Sequence, residues 1–129
     1  MSSTERCPDL ERFERGRLDP AALTHREHVR IGFEMLRRYE FLDGAVRYSR
    51  ALRRLCGRAG RPEKFHQTVT VAFLSLIAER LAARAYPDFA SFAAVNPDLL
   101  DPGALARWYS PRRLASRAAR DAFLLPDLR

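Results

Sequence analysis

The chain has 129 residues, of which 47% are hydrophobic and 30% charged, a balance that fits one folded domain and excludes a wholly disordered chain. Its net charge is +7, and every cation except Lys64 is an arginine. No apolar run reaches the roughly 20 residues that a membrane-spanning helix needs, and residues 1–11 are polar with no signal-peptide stretch, so the sequence predicts a cytoplasmic protein.

The elements read as all-α: a single-domain bundle of three longer helices over residues 1–129, wrapped by short C-terminal helices. Residues 1–19 read as a polar lead-in that includes a short helix over 9–15, ending near Gly16. Cys7 in this segment and Cys56 further on are too few for a disulfide framework and are expected as free thiols. Thr24 opens the second helix, and Glu27 three residues on completes the pattern of a capping box. Val29, Gly32, Met35, Leu36 and Tyr39 continue it as an apolar stripe.

The third helix is predicted over 42–59, stopped by Gly60 and Pro62, with Ala45, Tyr48, Leu52, Leu55 and Cys56 on its apolar side. The fourth, over 63–85, carries His66, Thr70, Phe73, Ile77 and Leu81 as its stripe. It is the most apolar and is expected at the centre of the core. Prolines then divide residues 86–129 into short helices over 88–95, 102–109 and 116–123, with Ser110 and Ser116 as N-caps.

Histidine is scarce here, with three copies. His25 and His28 stand three apart in the first turn of the second helix and share a face. His66 stands in the first predicted turn of the fourth. Short connections make consecutive helices antiparallel. The second and fourth helices therefore point the same way, and their histidine-bearing ends should meet, with Cys56 at the same end. A helix N-terminus favours neutral imidazole, the form that ligates a metal or takes a proton. His25, His28 and His66 are thus candidates either as ligands of a divalent metal such as zinc or as acid/base groups on a small polar substrate. The competing reading makes them helix caps and half-buried structural residues. Thr70, one turn beyond His66, could hydrogen-bond to it or to a ligand, or simply satisfy the backbone.

Three segments carry a resemblance: Leu23-Thr24-His25-Arg26-Glu27-His28-Val29, Phe65-His66-Gln67-Thr68-Val69-Thr70, and Tyr109-Ser110-Pro111 through Arg120 to Pro126-Asp127-Leu128. With their THxxH, [FY]HxTxT and YSPxxLxSxxAR patterns they resemble a family of small bacterial helical proteins to which no activity is attached. The resemblance spans about residues 20–129. It implies that His25, His28, His66, Thr68 and Thr70 belong to a shared pattern and that Tyr109 and Arg120 line the site. From the residues alone, Trp108 and Tyr109 read as core aromatics.

Arg47, Arg50, Arg54, Arg58 and Arg61 form a basic stripe on the third helix, and Arg112, Arg113, Arg117 and Arg120 form a second cluster. Such faces could serve a non-catalytic interaction module or, less well supported, a phosphate backbone. The bland alternative is a solvated helix face. No nucleic-acid-binding motif, glycine-rich phosphate loop or GxSxG elbow accompanies them. The leading expectation is a histidine-lined pocket for a small molecule.

Overall fold

A computed structural model describes residues 8–129; Cys7 lies outside the described residues. Among them are seven α-helices and no strand: α1 (Pro8–Glu14), α2 (His25–Arg38), α3 (Phe41–Arg58), α4 (Gln67–Ala83), α5 (Phe89–Val95), α6 (Pro111–Ala115) and α7 (Arg117–Asp121). The three longer helices α2, α3 and α4 form the bundle, and the short C-terminal helices wrap it. No helix among the described residues is long and apolar enough to cross a membrane.

Local chemistry sets the helix starts. Thr24 Oγ1 accepts from the Glu27 amide, the first half of the expected capping box. The reciprocal half does not form, because the Glu27 carboxylate takes a bidentate pair of bonds from Arg30, each 2.9 Å. A guanidinium fork offers more to a carboxylate than one backbone amide does. Ser110 and Ser116 cap α6 and α7 as expected.

The fourth helix starts later than its periodicity suggests. Pro62 seeds a separate 3-10 turn over Pro62–Lys64, and α4 begins only at Gln67, with His66 as its N-cap. Past α4, the predicted helix over 102–109 is a 3-10 turn over Ala104–Arg107, and another 3-10 turn covers Pro97–Leu100.

α4 is the most buried element, with Thr68, Thr70, Ala72, Phe73, Leu74 and Ile77 all inside. It packs closely on α2 because Gly32 has no side chain: a Cβ there would stand 3.0 Å from Ile77 Cδ1 and 3.2 Å from Leu74 Cδ2. The core divides into three clusters. One joins α1, α2 and α3 around Phe13, Tyr48 and Leu55, the second joins α2 to α5 around Phe33 and Phe92, and the third joins α4 to the C-terminal turns around Phe73 and Tyr109.

Within the segment expected as a polar lead-in, α1 carries two residues into the core. Leu10 and Phe13 are 1% and 0% exposed, and the Phe13 ring lies 5.0 Å from that of Tyr48. Two apolar residues three apart are too short a stripe to stand out between charges, yet they place α1 on the core. The arginine stripe of α3 then fastens it. Arg47 pairs with Glu14 and Asp43, Arg54 donates to the Glu14 carbonyl at 2.5 Å, and Arg58 donates to the Leu18 carbonyl at 3.3 Å. Much of the basic face is thus committed to acceptors within its own chain.

Candidate functional site

The short links between α2, α3 and α4 bring the N-termini of α2 and α4 to one end of the bundle. There His25, His28 and His66 border a single cavity of about 780 Å³, within the ~300–1,000 Å³ common for small-molecule sites. Its wall draws on all three core clusters: Leu52, Leu55 and Leu74 from the first, Val29 and Ile77 from the second, and Phe73 from the third. The space opens where the clusters meet. Buried residues form its interior, whereas the exposed Ala21, Ala59, Arg61, Lys64 and Pro102 frame its mouth.

Each histidine ties the cavity to a different part of the fold. His25 Nε2 lies 3.0 Å from the Leu99 carbonyl oxygen. A carbonyl can only accept, so this nitrogen carries the proton and donates to the 97–100 turn. The His25 ring also stands edge-on to Phe73, 4.9 Å between centroids. His66 is fully engaged. Its Nδ1 accepts from the Val69 amide at 3.1 Å and caps α4, which leaves the proton on Nε2 to be donated to the Leu114 carbonyl at 2.7 Å. With both ring nitrogens in use, His66 has neither a lone pair for a metal nor one for a substrate proton.

His25 Nδ1 then remains an acceptor with no partner among the described residues, and His28 keeps an acceptor nitrogen as well. The Tyr48 hydroxyl donates to the His28 carbonyl at 3.1 Å, so in the 3.2 Å contact between the two side chains His28 Nδ1 donates to the Tyr48 oxygen. His28 Nε2 is left as an acceptor with no partner among the described residues. Burial among apolar walls, aided by the nearby His25, lowers the His28 pKa to about 4, so its imidazole is neutral at pH 7. Desolvation also pushes the Tyr48 phenol well above its usual value, which keeps its proton in place.

The expected triad of metal ligands is not assembled. Among the described residues no group of three or more His, Cys, Asp or Glu side chains is arranged to hold a metal ion, and the commitment of both His66 nitrogens gives the physical reason.

The other expected site residues divide. Thr70 borders the cavity, but its hydroxyl donates back to the His66 carbonyl at 2.7 Å. Tyr109 and Arg120 do not border it. The Tyr109 hydroxyl holds the Leu124 carbonyl at 2.8 Å, and Arg120 donates to the Glu63 carbonyl. Thr68, fully buried, donates to the Ala122 carbonyl at 2.7 Å and accepts from the Leu124 amide at 3.0 Å. Asp127 takes both the Ser110 hydroxyl and its amide. These residues pin the C-terminal tail to α4 and to the start of α6.

Sequence reasoning missed Tyr48, Arg61 and Lys64. A tyrosine on an otherwise aliphatic helix face carries a hydroxyl that must find a partner when buried, and this was the signal for Tyr48. Lys64 stood out only as the sole lysine. Cys56 borders the cavity as a free thiol, and burial raises its pKa, which argues against a nucleophile. No protein-family model, curated protein or solved structure matches the chain.

Proposed function

We propose that this chain binds a small organic molecule with an apolar body, and that the neutral imidazole of His28 accepts a hydrogen bond from a donor on that molecule. The observation that carries the reading is the cavity of about 780 Å³ with a mostly aliphatic and aromatic interior, bordered by His28, whose Nε2 is left as an acceptor deep among apolar walls. An apolar pocket with few, well-oriented polar groups is the usual form of a small-molecule site. The partner chemistry differs from the polar ligand expected at the outset, because twelve of the twenty residues that border the cavity, Val29, Leu52, Phe73 and Ile77 among them, are apolar.

A pKa of about 4 makes His28 a weak proton acceptor at neutral pH, so its role is to hold and orient rather than to deprotonate. Tyr48 fixes the ring and its tautomer. The unpaired thiol of Cys56 supports a reducing, cytoplasmic setting. Kinship with the small bacterial helical family belongs to the same proposal: of its shared residues, His25, His28, His66 and Thr70 border the cavity, and Thr68, Tyr109 and Arg120 support it from outside.

The test is an NMR titration of the full chain, labelled with ¹⁵N at histidine, using 1-octanol and its hydroxyl-lacking isostere 1-methoxyheptane. Octanol should shift His28 Nε2 and the amides around Leu52 and Phe73, and the ether should bind more weakly. Silence of all cavity resonances up to the solubility limit of octanol would overturn the proposal.

A further inference from the structure

The charged side chains that border the mouth of the cavity are both cations. Arg61 and Lys64 stand at it, both exposed, and neither side chain makes an ion pair or hydrogen bond among the described residues. Six other arginines, Arg30, Arg47, Arg54, Arg58, Arg80 and Arg120, hold carboxylates or carbonyls of this chain. No aspartate or glutamate among the described residues borders the cavity. Glu63, between the two cations in sequence, borders a neighbouring hollow with Arg53 and Arg120, although its charge is felt at Cys56 on the cavity wall.

A local device places the cations. Gly60 adopts φ +73°, the left-handed conformation that lets α3 end abruptly. Pro62 then seeds the turn whose Lys64 amide bonds back to the Arg61 carbonyl at 3.0 Å. Arg61 and Lys64 thereby bracket one tight turn beside the opening. An apolar interior below two unpaired cations matches a molecule with an apolar body and an anionic end.

We infer that the ligand is an anionic amphiphile, its apolar body with the donor that meets His28 inside the cavity, and its carboxylate or phosphate head held at the mouth by Arg61 and Lys64. This rests on the small-molecule reading above and adds the chemical class. A guanidinium and an ammonium attract an anion from water and are weakened by salt, whereas the apolar interior contributes whatever the head group is. Head-group selectivity and chain binding are therefore separable.

The experiment compares octanoate, octyl phosphate, 1-octanol and octylammonium, each below its micelle concentration, by calorimetric titration of the full chain at low and moderate salt. The anions should bind about tenfold more tightly than octanol, as two exposed charges near one anion provide, and octylammonium should bind most weakly. In the double variant Arg61→Gln/Lys64→Gln the anions should fall to the level of octanol, with octanol unchanged. Arg38→Gln, at the far end of α2, should alter nothing. The ratio of the two anions identifies the head group. Equal binding of anions and octanol, or an anion preference that survives the double variant, would overturn the anionic class and leave the small-molecule reading standing. Absence of binding by all four probes would remove both.

Discussion

Burying an imidazole against aliphatic walls opposes its protonation, and at His28 the consequence extends to the stability of the chain. The folded state takes up a proton at His28 only below about pH 4, whereas the unfolded imidazole does so below about 6.5. Between these values the unfolded state holds more protons. Stability should therefore fall as pH drops through this window, by up to about 3 kcal/mol once pH 4 is reached. Asp88, Asp98 and Asp127 are held below the usual carboxylate value of 3.8 by their hydrogen-bond donors, so their contributions are lost only at lower pH. Urea denaturation at pH 7, 5.5 and 4.5 reads the effect directly. His28→Gln should flatten the dependence across that range, and an undiminished slope in this variant would assign it to other groups. His66 shows the opposite design: one nitrogen caps α4 and the other holds α6, so the residue stabilises the site without being available to a ligand.

Among the elements, the sequence was most legible where one residue type suffices for one task. Thr24, Ser110 and Ser116 cap the helices expected of them, and the alternating directions of α2, α3 and α4 follow from link length alone. What periodicity could not give was competition between partners. Arg30 removes Glu27 from its box, and Pro62 detaches a turn from α4 and so converts His66 from a first-turn residue into a cap. Tail docking was equally hidden, since it joins Thr68 to residues 54 and 56 positions away through backbone groups that leave no trace in composition. That docking predicts a specific cost. Thr68→Val keeps the shape but removes both bonds of the buried hydroxyl, and should destabilise the chain by about 2 kcal/mol. The variant should also be cleaved by protease near residues 122–128 well before the bundle unfolds, while octanol binding at the cavity is retained. Loss of ligand binding with an intact tail would mean that Thr68 belongs to the site after all.

At the scale of the whole molecule, three core clusters that each pack well fail to close where they meet, and the cavity is what remains between them. Such a space weakens the native state, because its walls lack the contacts that a filled interior provides, and a ligand can restore them. Gly32 tests how firmly those walls are held. Gly32→Ala gains about 1 kcal/mol of helix propensity on α2. Against this, the new methyl must displace Ile77 Cδ1 and Leu74 Cδ2 by a few tenths of an ångström. In a closed core that displacement typically costs about 1–3 kcal/mol. Here both side chains border the cavity and can yield into it. Their movement should bring the net change in stability to within about 1 kcal/mol of zero. The lost space should then appear in binding, with octanol affinity reduced about fourfold, the worth of one methylene group. Thermal denaturation and titration of the same variant separate the two effects. A large loss of stability with unchanged affinity would show that Ile77 and Leu74 are braced from behind, and that the cavity has a rigid rather than a yielding wall.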